Sequence, residues 1–259
     1  MKNKNVDKWS KLVVLILGAG TIFKITSLVD AFYVPMQNYM HLTNTQIGNA
    51  LSINGITATF GYIVSIYLAD RFSKKILIPI GLIGAGCFGL YLSTLPGYGG
   101  ILLTWALLSI FTDMIYWPVL LKSVRLLGDE NEQGRMFGFL EAGRGVVDTI
   151  VAFSALAVFV SLGSGESGLR GAILFYSGML IMIAIILYFL IEHYEIKTKK
   201  KKEDINKNKI ALEGMIKALK MPEIWLVSLT VFCVYSVYCG LTYFIPFLKD
   251  VYGLPVALV

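Results

Sequence analysis

The stretch GYIVSIYLADRFSKK, residues 61–75, ends one long apolar run and leads directly into the next. The first run stops at Asp70, and the short joint that follows is basic, with Arg71, Lys74 and Lys75. Two membrane-length runs joined by so few residues are expected to be antiparallel neighbours. Because basic residues in short loops favour the cytoplasmic side, this stretch predicts a cytoplasmic turn between two membrane spans.

The composition agrees with a membrane protein. The chain has 259 residues, of which 56% are hydrophobic and 15% charged, and its mean hydropathy is +0.69. These values describe a polytopic membrane protein in contact with the lipid bilayer rather than a water-soluble domain. The net charge of +6 does not indicate nucleic acid as a partner, because the cations lie in alternate loops.

The cysteines do not indicate a metal or a disulfide framework. Cys87, Cys233 and Cys239 all lie inside apolar runs and lack the paired spacing of a zinc site. We therefore expect no metal and no cofactor.

Seven apolar runs are long enough to cross the membrane. A helix of about 20 residues spans the ~30 Å of hydrocarbon, and backbone inside lipid has to satisfy its own hydrogen bonds. The sequence therefore predicts an all-α polytopic membrane protein. The predicted spans, in chain order, are 12–33, 47–69, 76–95, 101–121, 137–162, 171–191 and 224–248.

The distribution of lysine and arginine predicts the orientation. Cations precede span 1 and follow spans 2, 4 and 6, whereas the loops after spans 1, 3 and 5 contain only Arg170. This asymmetry places the amino terminus in the cytoplasm. A cleaved signal peptide is the alternative for the first run, but Lys24 and Asp30 interrupt that run.

A short motif recurs three spans apart. Residues 30–35 read DAFYVP in span 1, and residues 113–118 read DMIYWP in span 4. Residues 242–246 in span 7, TYFIP, are a weaker third copy. A repeat unit with an odd number of spans enters the membrane from opposite sides, so the motif predicts a 3+3 inverted repeat.

Charges inside the predicted spans are the candidates for function, because an unpaired ion in lipid is costly. In span 5, three of them lie at i, i+3 and i+7, close to one helical face. Acids outnumber bases, so one acid is expected to hold a proton through desolvation. A structural ion-pair network between spans 4 and 5 is the alternative. The candidate cavity or coupling residues are Lys24, Asp30, Asp113, Glu141, Arg144 and Asp148.

Aromatic residues cluster beside the repeated prolines. Their faces suit sugar rings or organic cations, although packing or interfacial anchoring is an equally open interpretation. The predicted substrate-facing aromatics are Tyr33, Tyr116 and Trp117.

The residues LADRFSKK, 68–75, resemble the loop between spans 2 and 3 of the major facilitator superfamily of transporters, with Ile66 and Ser73 in place of two glycines. The resemblance implies a six-span bundle over residues 1–195, a cytoplasmic linker with an interfacial helix over 196–221, and span 7 within 222–259. It also implies that a second half, spans 8–12 or a second copy, completes the cavity.

In the superfamily this loop contacts the second half and acts as a cytoplasmic gate. The gate residues implied here are Asp70, Arg71, Lys74 and Lys75.

A narrower resemblance is to the organophosphate:anion antiporter branch. Residues 117–122 look like its W-P-x-x-x-R pattern, and residues 132–138 resemble its E-x-G-x-x-x-G stretch. Ser27 and Tyr238 stand where that branch has phosphate-clamping arginines. Neutral hydroxyls are weaker donors to phosphate, so a neutral sugar or a carboxylated solute is expected instead.

The sequence therefore predicts a proton-coupled secondary transporter, a symporter of the plasma membrane, for a small polar organic solute. The alternative is a truncated, non-transporting fragment that is inert or docks on a partner half. An enzyme is not expected, because the sequence contains neither H-E-x-x-H nor G-x-S-x-G.

Overall fold

The computed structural model of this chain describes residues 4–190, 217 and 219–253. Its contacts divide the chain into two units, Met1–Tyr194 and Glu195–Val259, which are treated separately below. Every regular element among the described residues is a helix, which confirms the all-α fold class. The predicted linker, 196–221, lies almost entirely outside the described residues.

The first unit is a bundle of eight α-helices over the residues described. A π-helical segment, Ile110–Tyr116, joins α5 to α6, and a 3-10 turn, Glu130–Glu132, precedes α7. The helices are α1 (Lys4–Thr21), α2 (Leu28–Tyr39), α3 (Asn44–Arg71), α4 (Lys74–Leu92), α5 (Tyr98–Ser109), α6 (Trp117–Arg125), α7 (Gln133–Ser161) and α8 (Glu166–Leu190).

Five helical stretches in the described part are long and apolar enough to cross a membrane. They correspond to the predicted spans 3 to 7 and are Lys74–Leu92, Tyr98–Arg125, Gln133–Ser161, Glu166–Leu190 and Pro222–Leu241. Predicted span 2 corresponds to α3, which has 28 residues.

Span 1 differs from the prediction. Instead of one helix over residues 12–33, the chain forms α1 and α2 with a turn segment at residues 22–27 between them. Thr21 donates its hydroxyl to the carbonyls of Leu17 and Gly18, at 3.0 and 3.2 Å. A threonine bonded back in this way bends a helix, and β-branched residues follow it in the turn segment.

The turn that opened the sequence analysis is as short as predicted. Only Phe72, which follows the last residue of α3, and Ser73, which precedes the first residue of α4, lie between the two helices. The two helices nevertheless use different main partners, since α3 packs on α5 and the π-helical segment, whereas α4 packs on α8. A methyl group on Gly86 of α4 would come within 2.8 Å of Ile181 in α8, so a glycine is needed for this close packing.

The core of the first unit is aromatic as well as aliphatic. Among its largest fully buried side chains are Trp105, Tyr33, Tyr116 and Phe32. The opposite extreme is α7, in which few residues are buried. Its exposed side is strongly apolar, which in a membrane protein requires cover from lipid or from other protein.

The second unit contains α9 (Pro222–Leu241) and α10 (Phe244–Tyr252). Pro222 occupies the first helical turn, where its missing N–H costs nothing. The two helices are separated at Thr242 and Tyr243, which lie inside the third copy of the proline motif. The weaker third copy of the motif, TYFIP, therefore coincides with a helix break.

Candidate functional site

The broken first span positions the first candidate residue, Lys24. The backbone around it forms tight turns, with the amide of Lys24 donating to the carbonyl of Thr21 at 3.0 Å and that of Leu28 donating to Ile25 at 3.3 Å. Such i to i−3 bonds replace the regular helical pattern. Lys24 is therefore carried on an irregular segment between two helices.

Lys24 forms an ion pair with α7. Its ammonium nitrogen lies 2.6 Å from Oδ1 of Asp148, and the two side chains are 8% and 53% exposed. The cation is thus enclosed while its carboxylate partner is open on one side.

Arg144 lies on the same helix and connects this pair to span 4. Its guanidinium is 2.7 Å from the carboxylate of Glu141 and 5.4 Å from the centre of the Trp117 ring. The ring of Trp117 in turn packs edge-on against Phe23, with 5.5 Å between ring centres. Phe23 precedes Lys24, so these contacts form one continuous group.

We call this group the charged cluster. It joins the broken span 1, span 4 and span 5, and it balances two cations against two anions. The charged side chains are satisfied in pairs, as a low-dielectric environment requires. Its members are Lys24, Trp117, Glu141, Arg144 and Asp148.

Asp113 is placed differently. It lies in the π-helical segment, is only 9% exposed, and accepts hydrogen bonds from the hydroxyls of Thr112 at 2.8 Å and Tyr62 at 3.2 Å. Within the described side chains it has no ion pair. It is therefore a buried carboxyl group surrounded by neutral donors.

The π-helical geometry follows from the repeated motif. Pro118 has no N–H and cannot form the regular bond to Met114. The amide of Trp117 instead donates to the carbonyl of Thr112, five residues earlier. Single π turns inside α-helices occur frequently at functional sites, and this one carries both Asp113 and Tyr116.

Besides Asp113, three more of the predicted residues lie outside the charged cluster. Asp30 is on the exposed part of α2. Tyr33 is buried and donates its hydroxyl to Asn44 at 3.0 Å. Tyr116 is also buried, between Gly18 and Gly81. The two tyrosines face the interior of the bundle.

The predicted gate loop is described only in part. Lys74 and Lys75 begin α4, and the ammonium of Lys75 lies 5.3 Å from the centre of the Tyr188 ring in α8. The side chains of Asp70 and Arg71 lie outside the described part of the structure. The loop's role as a gate stays a prediction.

Sequence reasoning missed the neutral partners of the site. Tyr62 and Thr112 bind Asp113, and Phe23 joins Lys24 to Trp117. Thr112 could have been found, since it stands immediately before the repeated motif that begins at Asp113. Tyr62 lies within the stretch that begins at Gly61, but nothing in its spacing points to an acid on another span.

The fold and the site define a polytopic helical membrane protein with charged residues on interrupted spans. Among the described residues no group of histidine, cysteine or acidic side chains has the arrangement of a metal site. The family model of the Major Facilitator Superfamily matches residues 14–259. The chain belongs to this superfamily, which confirms the predicted superfamily.

Curated relatives include two inner membrane proteins of Escherichia coli (strain K12). YihN is 52% identical over 255 residues, covering 97% of this chain and 60% of that protein. YqcE is 28% identical over 256 residues, covering 98% and 60%. The Mycoplasma pneumoniae homolog of the uncharacterized protein MG294 is 22% identical over 252 residues, covering 87% and 52%. The chain thus spans about 60% or less of the length of these relatives.

Proposed function

We propose that this chain forms part of a secondary transporter that moves a small polar organic solute, a sugar or an organic anion, in symport with protons. The observation that carries the proposal is the charged cluster on the broken first span. An interrupted helix frees backbone groups and exposes ionisable side chains at the depth where transporters bind solute. Alternating access then requires a second half that rocks against this one.

The chemistry of the charged cluster favours a solute with hydroxyl or carboxylate groups. Lys24 and Arg144 supply cationic donors, and Glu141 and Asp148 accept hydrogen bonds from hydroxyl groups. The face of Trp117 already receives Arg144 and can stack on a sugar ring after that side chain moves. A carboxylate on the solute would replace Asp148 beside Lys24.

The proton is assigned to Asp113 in this proposal. Lys24 pairs with Asp148 and Arg144 pairs with Glu141, which leaves Asp113 without a cation among the described side chains. Its neighbours from α3 and its own helix are hydroxyl groups, and α4 presents Gly81 and Gly84 to the π-helical segment. A carboxyl group in such surroundings can exist as a neutral acid inside the membrane.

The solute site can be tested by binding. The purified chain in lipid nanodiscs is titrated with neutral sugars, sugar acids and sugar phosphates while its tryptophan fluorescence is followed. We expect sugars or sugar acids to change the emission, and Arg144→Gln to weaken binding about tenfold, the equivalent of one charge-assisted hydrogen bond.

Arg170→Gln is the matched control for this titration. Arg170 pairs with Glu166 on α8 at 2.8 Å, much as Arg144 pairs with Glu141, but it lies outside the charged cluster. Equal weakening by both substitutions, or saturable binding of sugar phosphates alone, would contradict the proposed site.

Proton coupling needs a separate experiment. Uptake of the solute identified by binding, by the transporter that contains this chain, is measured in vesicles. The measurement is made with and without an inward proton gradient. Asp113→Asn keeps an amide of the same shape, so we expect solute exchange to persist and gradient-driven accumulation to disappear. Glu166→Gln, at an acid outside the charged cluster, is the control, and unchanged accumulation in the Asp113 variant would remove Asp113 from the proposal.

The proposed location is the plasma membrane with the amino terminus in the cytoplasm. Two relatives are named inner membrane proteins, and the basic loops all belong to one side of the predicted topology. A cysteine accessibility assay on Ser10→Cys and Ser164→Cys tests the orientation. The Ser10→Cys variant should be labelled only from the cytoplasm, and the Ser164→Cys variant only from outside.

A further inference from the structure

A cleft of about 380 Å³ lies between α1 and α7, away from the charged cluster. Its residues are apolar apart from Arg135 at one end, and its lining consists of Trp9, Leu12, Val13, Ile16, Arg135 and Phe139. Phe139 is two residues from Glu141, which is about 200° around a helix. The cleft and the charged cluster are therefore on different sides of α7.

The cation at the end of the cleft is held against two aromatic rings. The guanidinium of Arg135 lies 5.3 Å from the ring centre of Trp9 and 5.6 Å from that of Phe139. Stacking uses the flat face of a guanidinium and leaves the N–H groups at its edge available. These groups form no hydrogen bond to any other residue that the structure describes.

The nearest acid is already engaged. Glu132 accepts a hydrogen bond from Lys8 and one from the backbone amide of Asp129 at 3.4 Å. Glu132 precedes α7 by one residue, and Arg135 lies in the first turn of that helix. Arg135 is therefore at the membrane interface and not in the hydrocarbon core.

The apolar side of the cleft continues along α7. Val146, Ile150 and Phe153 are strongly exposed and follow Phe139 at spacings of seven, eleven and fourteen residues, which keep them on one helical face. Val13 on the α1 side of the cleft is also exposed. A chain of methylene groups can thus extend from the cleft toward the membrane centre without meeting a charge.

We infer that this cleft binds an anionic phospholipid of the leaflet in which Arg135 lies. The lipid phosphate contacts Arg135, and one acyl chain lies between α1 and α7. An apolar channel with a cation at its interfacial end is complementary to an anionic amphiphile, and basic pockets between membrane helices on the cytoplasmic side bind acidic lipid headgroups. The site is separate from the proposed solute site and does not depend on it.

Native mass spectrometry of the purified chain tests this inference. Phosphatidylglycerol and phosphatidylcholine with identical acyl chains are added separately, and bound lipids are counted over a range of lipid concentrations. We expect about tenfold tighter binding of phosphatidylglycerol, because phosphatidylcholine carries the same phosphate but its trimethylammonium group offsets the attraction to Arg135. Arg135→Gln should remove this preference.

Two further variants keep the test decisive. Arg125→Gln removes an exposed arginine from the end of α6 and should leave the preference intact. Val13→Trp fills the cleft without changing its charge and should weaken both lipids. Equal binding of the two lipids, no binding of either, or a preference that survives in Arg135→Gln would overturn the inference.

Discussion

The first and fourth spans carry the same Asp-x-x-Tyr-x-Pro motif, yet their helices are interrupted in different ways. In span 1 the helix stops at Thr21 and begins again at Leu28, and the motif lies in the second piece. In span 4 the helix continues but widens into a π-helical segment that contains most of the motif. The difference lies in the residues that precede the motif, since a turn segment follows Thr21 in span 1.

The two interruptions also stabilise charge differently. The turn segment of span 1 carries Lys24, which is paired with an acid on another helix at 2.6 Å. The π-helical segment of span 4 carries Asp113, whose partners are hydroxyl groups. In the function proposed above, the interruption in span 1 binds the solute and the interruption in span 4 holds the proton. Losing a partner should therefore cost more at Lys24 than at Asp113.

The largest effect is expected for Asp148→Asn. Removing one partner of a fully buried ion pair costs about 3–5 kcal/mol, and the exposure of Asp148 reduces this to about 2 kcal/mol here. For a chain of this size that corresponds to a drop of about 4–8 °C in Tm. The measurement is thermal unfolding in detergent, followed by tryptophan fluorescence.

A substitution of the other partner in this ion pair sharpens the prediction. Lys24→Gln leaves Asp148 with access to water, so it should lower the Tm less than Asp148→Asn does. The double variant should be more stable than the sum of the two single losses predicts, because neither charge is then left alone. Equal effects of the two single variants would show that Lys24 is not enclosed as described.

A smaller loss is expected for Gly18→Ala, at the point where the two interrupted spans touch. A methyl group on Gly18 would overlap the hydroxyl of Tyr116 and lie 3.0 Å from Leu187. Overpacking of this kind costs about 1–3 kcal/mol, and the low end is expected here because the overlapped atom is the terminal hydroxyl of a side chain. The free energy of unfolding in mixed micelles, measured on both proteins, gives the difference.

Tyr116→Phe tests the cause of that loss. The Tyr116 hydroxyl has no hydrogen-bond partner among the described residues, so its removal should cost little and should restore part of the stability lost in Gly18→Ala. If the alanine variant is unaffected by Tyr116→Phe, the contact between the two spans is not the source of the strain.

Tyr62→Phe should have a smaller effect again. It removes one neutral hydrogen bond to Asp113, worth about 0.5–1 kcal/mol, and leaves the bond from Thr112. In an Asp113→Asn background the same substitution should cost about as much, because the side-chain oxygen of asparagine accepts this bond as a neutral acid does. A larger cost than that of Asp148→Asn would reverse the ranking of the two sites.

Much of the fold follows from the sequence, because apolar length and the spacing of basic loops determine where helices cross a membrane. The sequence predicted spans 3 to 7. It also placed Glu141 and Arg144 close to one face of span 5, where the structure pairs them. The prediction did not extend to the interruption at residues 22–27, because a lysine inside an apolar run does not reveal whether the helix continues.

The partners of Asp113 were beyond sequence reasoning for a different reason. Tyr62 belongs to another span, and a contact between spans depends on how the helices are rotated and packed. The burial of Tyr33 and Tyr116 depends on the same rotations. Position along a span was therefore predictable, whereas the direction in which a side chain points was not.

The smallest effect is expected at the ion pair between Lys8, at the start of span 1, and Glu132. This pair lies outside the two interior sites compared above. Glu132 has a pKa below its usual value of 4.5, first because Lys8 donates a hydrogen bond to it and then because the Asp129 amide does. A carboxyl group with a lowered folded-state pKa stabilises the fold above its unfolded pKa, and that contribution is lost as the pH falls through the folded value. The Tm should therefore decline slightly on acidification below about pH 4.5.

Glu132→Gln should flatten this decline while Asp113→Asn leaves it in place, since the hydroxyl partners of Asp113 do not require a charged acceptor. If Asp113→Asn flattened the decline instead, Asp113 would be ionised in the folded protein, and the contrast between the two spans would fail.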